Sequence, residues 1–326
     1  MKALVTGAAG FIGSHLTERL VSDGHRVLAV DAFTDYYELD QKRDNAAVLN
    51  QLSDCSFVEV DLRTADLSSL LGDVDVVFHQ SGQPGVRASW GEGFEDYVEH
   101  NVLVTQRLLE ATRHRSVERF VFASSSSVYG NAERYPVSES DLPRPQSPYG
   151  VTKLAAEHLC GVYARTWGVP TIALRYFTVY GPRQRPDMAM HRLIESALAQ
   201  EPFPMYGDGM QVRDFTFVGD VVDANILAAR SNAPAGSVVN VAGGSTTTLN
   251  EVVEVIGELQ GHPVLLDRQE AQPGDVGRTD ARIERAEELI GWTPRTPLRE
   301  GLARQLEWHR SRRESALTSA SLGLTG

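Results

Sequence analysis

The first thirteen residues constrain this chain more than any other stretch. A short apolar run at residues 2–6 leads into the turn Gly7-Ala8-Ala9-Gly10-Phe11-Ile12-Gly13, and a helical pattern follows at once. A glycine-rich turn at a helix N-terminus leaves backbone N–H groups free for an anion, and the helix dipole favours negative charge there. The G-x-x-G-x-x-G spacing differs from G-x-G-x-x-G, but its glycines suit a tight turn, an approaching pyrophosphate and close helix packing. This stretch therefore predicts a dinucleotide site.

The end of the next strand pattern distinguishes between the two nicotinamide dinucleotides. Residues 26–30 are followed by Asp31, and then by Ala32 and Phe33. A carboxylate at this position accepts hydrogen bonds from both hydroxyls of an adenosine ribose and repels a 2′-phosphate, and the next two residues supply no compensating cation. The pattern favours NAD over NADP. The alternative interpretation is a structural glycine turn in some other α/β protein.

Length, charge and cysteine content exclude several kinds of partner. The 326 residues are enough for one large or two modest domains, and the formal net charge of −12 argues against nucleic acid. The two cysteines, Cys55 and Cys160, lie in apolar segments and predict a reduced cytosolic setting rather than a disulfide framework. The first strand begins at the N-terminus, which argues against a signal peptide, and no apolar run is long enough to span a membrane. We expect a cytoplasmic protein.

Strand and helix patterns alternate through the first half of the chain. This alternation predicts an α/β fold, a doubly wound parallel-sheet Rossmann domain with helices on both faces. Strands are predicted at 2–6, 26–31, 57–60, 74–79, 119–123 and 171–176, and helices at about 11–22, 38–52, 95–114 and 147–167.

The pattern changes after Tyr176, where a proline-punctuated basic loop occupies residues 181–186. Helices are predicted at about 190–199, 220–231, 249–259, 281–290 and 298–312, with strands at 213–217 and 238–241. We interpret residues 1–176 as the NAD-binding domain, to which 214–245 return. Residues 177–213 and 246–314 then form a smaller, interleaved substrate domain, and 315–326 a flexible tail.

Tyr149 and Lys153 are one helical turn apart on the helix predicted to start near Ser147. A lysine ammonium at about 5 Å would lower the pKa of the phenol by roughly two units, which suits a general base. The alternative is an ordinary pair on a solvated helix face. A run of four serines, 124–127, ends a predicted strand and offers a hydroxyl to a substrate oxygen, unless it is only a polar turn.

Four motifs together resemble one known family: residues 6–16, Asp61-Leu62-Arg63, residues 124–130 and Ser147-Pro148-Tyr149-Gly150-Val151-Thr152-Lys153. The chain is similar over most of its length to the extended short-chain dehydrogenase/reductases, in the branch of nucleotide-sugar 4-epimerases and dehydratases. The resemblance implies that Tyr149 is the base, that Lys153 holds the nicotinamide ribose, and that Ser125 binds the reacting oxygen. The implied NAD contacts are Gly7, Gly10, Phe11, Ile12, Gly13, Asp31, Asp61, Leu62, Gln80, Ser81, Tyr149, Lys153 and Tyr176.

Departures from the family's patterns reduce the number of family members that the chain resembles. The sugar dehydratases carry Asp-Glu where this chain has Ser126-Ser127, so dehydration is not expected, and the galactose epimerases carry Asn where it has Thr178. Residues 83–87 and 181–188 most resemble UDP-glucuronate 4-epimerases. His79-Gln80-Ser81-Gly82 replaces the commoner His-Leu-Ala-Ala and leaves the cofactor wall less certain.

The expected substrate is therefore a UDP-sugar with a C6 carboxylate. Ser126, Ser127, Thr178 and Arg185 are predicted to surround that carboxylate. The pyrophosphate is assigned to Arg87 and Arg213, with Arg192 as a weaker candidate, and the family places the nucleotide ribose near Asp275. For each of these arginines a surface salt bridge is an equal alternative.

The predicted reaction is 4-epimerisation of UDP-glucuronate to UDP-galacturonate through a 4-keto intermediate, with tightly bound NAD regenerated in each turnover. The alternatives are a neutral UDP-hexose or N-acetylhexosamine 4-epimerase, a UDP-glucuronate decarboxylase, and a non-catalytic NAD-binding sensor. No metal site is predicted. A homodimer through a four-helix bundle is implied, using the apolar residues Val102, Leu103, Leu108, Leu109, Leu154, Leu159 and Val162, which could equally be core stripes.

Overall fold

The computed structural model describes residues 1–270 and 277–323, with side chains as far as Ser315. Within these residues the strands are, in chain order, β1 (Lys2–Thr6), β2 (Arg26–Asp31), β3 (Cys55–Glu59), β4 (Val76–His79), β5 (Arg119–Ser125), β6 (Thr171–Tyr176), β7 (Val179–Tyr180), β8 (Phe203–Tyr206), β9 (Val212–Asp214), β10 (Thr216–Phe217), β11 (Ser237–Val241), β12 (Thr246–Thr248) and β13 (Leu266–Gln269).

The helices connect these strands on both faces of the main sheet. They are α1 (Phe11–Ser22), α2 (Leu39–Leu49), α3 (Leu67–Leu71), α4 (Phe94–Tyr97), α5 (Val104–Thr112), α6 (Pro148–Trp167), α7 (Ala189–Ala199), α8 (Val218–Arg230), α9 (Leu249–Gln260), α10 (Glu284–Ile290) and α11 (Leu298–Gly323). A π-helical segment, Val98–Leu103, joins α4 to α5. No helix of the described chain combines the length and the apolar character that crossing a bilayer requires.

The main sheet has seven parallel strands in the order β11-β6-β5-β4-β1-β2-β3 within the described chain. Its central strands are apolar on both faces and almost fully buried, as expected where helices cover both sides. The chain moves outward from β1 to β3 and then returns to the other side of β1 with β4. Ligands of such sheets bind beyond the strand ends at this reversal, between β1 and β4. The predicted doubly wound α/β fold is confirmed.

The second half of the chain adds short strand pairs at the carboxyl edge of the sheet. These are β7 with β10, β9 with β12, and β8 with β13. The predicted strand at 238–241 is confirmed, because β11 pairs with β6 in the main sheet. The wider division into a cofactor and a substrate domain stays a prediction.

Several boundaries differ from the sequence predictions. The predicted helix at 95–114 is interrupted by the π-helical segment, and the predicted strand at 213–217 is split into β9 and β10. Strands β8, β12 and β13 escaped prediction because each is short and pairs with a strand far away in sequence. Helix α11 continues to Gly323, so that residues 315–323 of the predicted flexible tail are helical. Those residues lack proline and include several good helix formers.

Candidate active site

The glycine turn closes tightly against the end of β4. Gly7 has a φ of +69°, and a Cβ there would lie 2.8 Å from the backbone of Ser81. A Cβ on Gly13 would collide with the carbonyl oxygen of Gly7. Gly10 precedes α1 and gives it no capping side chain, so the first N–H groups of the helix are left for a ligand. This geometry requires glycine at positions 7 and 13 and fits a bound pyrophosphate.

Asp31 ends β2 beside this turn and is held by two backbone donors. Its carboxylate accepts hydrogen bonds from the N–H of Ala9 (3.1 Å) and the N–H of Phe33 (2.9 Å). Its side chain is buried and lines the same cleft as the glycines. The turn and the carboxylate therefore meet as the sequence predicts.

One cation near Asp31 was missed. Lys42 of α2 also lines the cleft, and its ammonium donates to the carbonyl oxygen (2.8 Å) and the hydroxyl (3.2 Å) of Thr34. Burial lowers the pKa of Lys42, while Asp31 acts in the opposite direction. The sequence argument considered only Ala32 and Phe33, whereas the fold brings in a lysine from the following helix. Since Thr34 already takes up its ammonium, Lys42 does not overturn the preference for NAD.

The cleft runs from the glycine turn along the ends of the central strands. Ten of the thirteen predicted NAD contacts line it: Gly7, Gly10, Phe11, Ile12, Gly13, Asp31, Asp61, Leu62, Gln80 and Ser81. The other lining residues include several that sequence reasoning missed, among them Thr34, Tyr36, Tyr37, Lys42, Gln83 and His100. A cleft with a glycine-walled end and a carboxylate at the end of β2 fits a dinucleotide.

Tyr176 does not line the cleft but supports a residue that does. Its hydroxyl donates to Gln80 Oε1 (3.0 Å), and Gln80 Nε2 donates to Asn225 Oδ1 (2.9 Å). Asn225 Nδ2 in turn donates to the Tyr176 hydroxyl (2.8 Å). The Gln80 that departs from the common family pattern is thus held in a closed ring of hydrogen bonds with α8.

Asp61 is ion-paired before any ligand binds. Arg63 donates to it through Nη2 (2.8 Å), and Arg63 also contacts Glu99 (2.5 Å). The hydrogen bond from Arg63 is the main reason that the pKa of Asp61 lies below its usual value. Asp61 and Leu62 reach the cleft as predicted, and Arg63 fixes the carboxylate of Asp61 from behind.

Tyr149 lies at the start of α6, where Ser147 caps the helix by accepting a hydrogen bond from the Gly150 N–H. Burial raises the pKa of Tyr149, while the Ser125 hydroxyl and the Arg185 guanidinium both act to lower it. Tyr97 packs edge-on against the Tyr149 ring, with centroids 6.1 Å apart. The phenol is therefore close to Ser125, as predicted, and close to Arg185, which the sequence had assigned to the substrate.

The predicted electrostatic role of Lys153 stays a prediction. Its ammonium donates to the carbonyl oxygen of Ala123 (3.0 Å) and lies over the ring of Phe122 (5.3 Å), and burial lowers its pKa to about 8. The groups that act on the pKa of Tyr149 against burial are Ser125 and Arg185, and that pKa is raised overall. The helical spacing put the two residues on one face, but the Lys153 side chain extends towards β5. It remains next to the cleft, since a Cβ on Gly82 would lie 3.1 Å from Lys153 Nζ.

The four serines at the end of β5 and in the turn that follows it lie in different environments. Ser124 donates to Glu157 Oε2 (2.7 Å), and Glu157 forms a fully buried ion pair with Arg175 (2.6 Å). Arg175 also donates to the Tyr129 hydroxyl (2.7 Å). Ser124 therefore belongs to a structural network that sequence reasoning missed, because its members come from β5, α6 and β6.

Ser125 faces the other way, towards the phenol of Tyr149. Its hydroxyl accepts from the Ser127 N–H (3.1 Å), which fixes the turn that carries Ser126 and Ser127. Both of these serines are partly exposed, as is Thr178 between β6 and β7. Their partial exposure is compatible with the predicted site for a substrate carboxylate, which stays a prediction.

Among the arginines predicted to bind the substrate, Arg185 is the one that acts electrostatically on Tyr149. It lines the cleft, and its guanidinium stands over the ring of Tyr36 at 5.9 Å. Asp187 accepts from its Nε and Nη2, both at 2.9 Å, and this pair leaves Nη1 outside it. Sequence reasoning did not foresee that the carboxylate of Asp187 engages this arginine.

The arginines predicted to bind the pyrophosphate lie on separate segments of the chain. Arg87 stands over the ring of Tyr206 in β8 at 5.1 Å, and Arg213 in β9 donates to the Val212 carbonyl oxygen (2.9 Å). Arg192 is partly exposed on α7. The Val212 N–H donates to the Gly277 carbonyl oxygen (3.1 Å), so β9 adjoins the end of the segment that contains Asp275. Asp275 itself lies outside the described residues.

Known proteins are similar to this chain in sequence and in structure. A model of the NAD dependent epimerase/dehydratase family matches residues 3–242. The Bacillus subtilis protein YtcB, named as an uncharacterized UDP-glucose epimerase, is 45% identical over 309 residues, which span 94% of this chain and 98% of YtcB.

Two solved structures are similar over nearly their whole length. The UDP-glucuronic acid 4-epimerase of Bacillus cereus, in complex with UDP-glucuronic acid and NAD, has a TM-score of 0.92 and 42% identity, covering 95% of this chain and 99% of that chain. MoeE5 in complex with UDP-glucuronic acid and NAD has a TM-score of 0.87 and 46% identity, covering 96% and 100%. MoeE5 has also been solved with UDP-glucose and NAD.

Proposed function

Because the chain belongs to the NAD dependent epimerase/dehydratase family, we propose that it interconverts UDP-glucuronate and UDP-galacturonate. At the coarser level, it is an NAD-dependent UDP-sugar 4-epimerase. The sugar is the proposed part, since the similar proteins include enzymes named for UDP-glucuronate and for UDP-glucose.

The observation that carries this choice is the position of Arg185. A guanidinium that lines the cleft and acts electrostatically on Tyr149 supplies positive charge next to the reacting carbon of the sugar. A carboxylate on that sugar gains a charge-assisted hydrogen bond that a neutral hydroxymethyl group does not. The hydroxyls of Ser126, Ser127 and Thr178 would donate hydrogen bonds to the same carboxylate without adding a competing charge.

The chain's own residues then account for proton handling. NAD held along the glycine turn and Asp31 would supply hydride acceptance from C4 of the sugar and hydride return to it. The 4-keto sugar would turn its other face between the two transfers. Tyr149 takes the proton of the C4 hydroxyl, and Ser125 orients that hydroxyl through its contact with the phenol. Burial raises the pKa of the phenol, and the Ser125 hydroxyl and the Arg185 charge oppose burial, so both favour the phenolate that accepts the proton. Lys153, whose ammonium donates to the Ala123 carbonyl oxygen and lies near Gly82, would support the nicotinamide ribose.

A neutral UDP-hexose is the second candidate, and one contact favours it. Asp187 already binds two nitrogens of Arg185, which partly neutralises the charge meant for a substrate carboxylate. If that pair persists when substrate binds, Arg185 selects less strongly for an acid. Decarboxylation remains the third outcome, since a 4-keto glucuronate is a β-keto acid whose stability depends on how its carboxylate is held.

A homodimer is the proposed assembly. The helices α4 and α5 and the π-helical segment between them pack against α6. Val98 and Leu103 of the π-helical segment and Val151 and Val162 of α6 are exposed. Leu108 and Leu109, which the sequence suggested for the interface, are instead fully buried core residues. Light scattering tests the dimer: a Val151→Glu variant should be monomeric and a Val48→Glu variant, altered on α2, should not. A reduced cytosolic setting is supported by the two free cysteines and stays a prediction.

Product analysis tests the proposed reaction. The protein is purified without added cofactor and incubated separately with UDP-glucuronate and UDP-glucose, and the sugar nucleotides are resolved by chromatography and NMR. We expect UDP-galacturonate from UDP-glucuronate with no external NAD, and little turnover of UDP-glucose. A pentose nucleotide with accumulating NADH would mean that the carboxylate is aligned for loss. Turnover of UDP-glucose alone would reject the assignment of Arg185 and the hydroxyls to a carboxylate.

A further inference from the structure

A second group of chemically active side chains lies away from the cleft, between α7 and α11. His191 and Glu195 are one turn apart on α7, and His309 and Arg313 are one turn apart on α11. The rings of His191 and His309 meet edge to face with centroids 4.5 Å apart. None of these residues has a role in the proposed reaction.

The hydrogen bonds of this group orient its donor atoms. His191 Nδ1 donates to the Gln184 carbonyl oxygen (2.8 Å), so its Nε2 keeps a lone pair. The two carboxylate oxygens of Glu195 have different partners. Oε1 contacts His309 Nδ1, and Oε2 accepts hydrogen bonds from Arg313 Nε (3.1 Å) and Nη2 (2.6 Å). Anchoring one side of an imidazole or carboxylate in this way is how proteins orient metal ligands.

His309 adds an observation that packing does not explain. Its side chain is 1% exposed, yet its Nε2 is buried with no hydrogen-bond partner in the described part of the chain. A buried polar atom without a partner is unfavourable and calls for an explanation such as an ion. The ring of Trp308 beside it closes the group off on one side.

We propose that His191, Glu195 and His309 bind one divalent transition-metal ion, of which Zn²⁺ is the best match. One donor atom of each residue lies within 4.8 Å of the donor atoms of the other two. Zn–N bonds of about 2.0–2.1 Å place tetrahedral ligands roughly 3.4 Å apart, so the side chains need to approach by about 1 Å. Two imidazoles with one carboxylate suit zinc, and imidazole is a poor ligand for Mg²⁺ or Ca²⁺.

The charges around the group allow a cation to enter. The Glu195 carboxylate supplies negative charge to the group, and the Gln184 carbonyl oxygen takes up the Nδ1 proton of His191, which leaves the imidazole lone pair on Nε2. Arg313 is balanced by Glu195, and Arg312 pairs with Asp44 at 3.3 Å.

The sequence pointed to no metal site because His309 is more than a hundred residues from the other two ligands. Only the packing of α11 on α7 brings the three together. The inference is independent of the sugar substrate, because the group is separate from the residues that line the cleft.

Metal binding by the full chain tests the proposal. Chelator-treated, desalted protein is titrated with ZnCl₂ by isothermal calorimetry, and CoCl₂ is followed by visible absorption, whose intensity reports tetrahedral geometry. We expect one equivalent of Zn²⁺ and an intense Co²⁺ spectrum, with at least tenfold weaker binding in His191→Ala and in Glu195→Gln. His262→Ala is the matched control, because it removes an exposed histidine outside the group and should leave binding unchanged.

Two results would overturn the proposal. One is wild-type affinity for Zn²⁺ no higher than that of His191→Ala, which means that scattered surface residues bind the ion. The other is a one-equivalent site whose affinity survives in both His191→Ala and Glu195→Gln, which places the metal elsewhere. Thermal unfolding with and without Zn²⁺ is the second readout, since binding across α7 and α11 should raise Tm in the wild type and not in either variant.

Discussion

The cofactor cleft and the substrate side of the active site are built in different ways. The cleft rests on backbone: a glycine turn without room for side chains, the uncapped start of α1, and Asp31 held by two backbone N–H groups. The proposed substrate side is formed by long side chains from separate segments. These are Arg87 after β4, Arg185 after β7 and Arg213 in β9. Each of these arginines already has a protein partner.

This contrast explains why the cofactor could be identified and the sugar could not. A backbone cradle has one geometry that the local sequence specifies, so it predicts one class of ligand. An arginine side chain can exchange one hydrogen-bond acceptor for another. Arg185 can therefore bind either Asp187 or a substrate carboxylate. The following predictions test whether the two regions are as separable as this comparison implies.

The largest effect is expected where the two regions meet, at Tyr149. Tyr149→Phe removes the group that takes the C4 proton, and kcat should fall about a thousandfold. Bound NAD, measured by absorbance after denaturation, should stay at the wild-type level because the cleft is untouched. Tyr97→Phe, which alters the ring packed against Tyr149, is the matched control and should keep most of the activity. Unchanged turnover in Tyr149→Phe would show that Tyr149 is not the base.

In the cofactor cleft, Gly13→Ala should weaken NAD binding about a hundredfold, because its Cβ collides with the Gly7 carbonyl oxygen and the turn must open. Gly10→Ala is the control of the same chemistry, since its Cβ would lie 3.1 Å from that oxygen and needs only a small shift. Retained cofactor in purified protein measures both. Equal losses in the two variants would show that steric closure of the turn is not what selects the ligand.

On the substrate side, Arg185→Ala should lower kcat/KM for UDP-glucuronate about thirtyfold through loss of a charge-assisted hydrogen bond. Turnover of UDP-glucose should fall less, because that sugar loses only the Arg185 charge that favours the Tyr149 phenolate, whereas UDP-glucuronate also loses the contact with its C6 carboxylate. Arg183→Ala removes a neighbouring arginine that pairs with Glu18 instead and should not alter the preference between sugars. A parallel loss for both sugars would assign Arg185 to the shared part of the substrate.

The smallest expected effect concerns Lys153 and pH. Its folded pKa of about 8 lies below the value of 10.5 for an unperturbed lysine, so between these pH values the unfolded chain binds more protons. The free energy of unfolding of the NAD-free protein should therefore rise with pH, by about 1.5 kcal/mol from pH 8 to 9.5 relative to Lys153→Met. Urea unfolding at both pH values measures the difference. The same slope in both proteins would mean that the ammonium is not desolvated on folding.

Much of the fold followed from local pattern. Strands β1, β2 and β6 and helix α1 have the predicted ends, because each combines an apolar run with glycine, proline or acidic residues at its boundary. The short strands β8, β12 and β13 were missed, since they exist only through pairing with a distant partner. The same limit applied to side chains: Tyr149 and Lys153 share a helix face, but burial against β5 turned the Lys153 ammonium towards Ala123.

By itself, the sequence determined the glycine turn and the parallel sheet, because short spacings within strand–turn–helix units carry that information. The roles of Ser125, Tyr149 and Lys153 follow from the family resemblance and stay predictions. Only the tertiary structure decided that Lys42 lies near Asp31, that Asp187 engages Arg185, and that Glu157 and Arg175 form a buried pair behind Ser124. It also decided that His309 meets His191 and Glu195. These contacts depend on how helices and loops distant in sequence pack, and on desolvation, which no local pattern records.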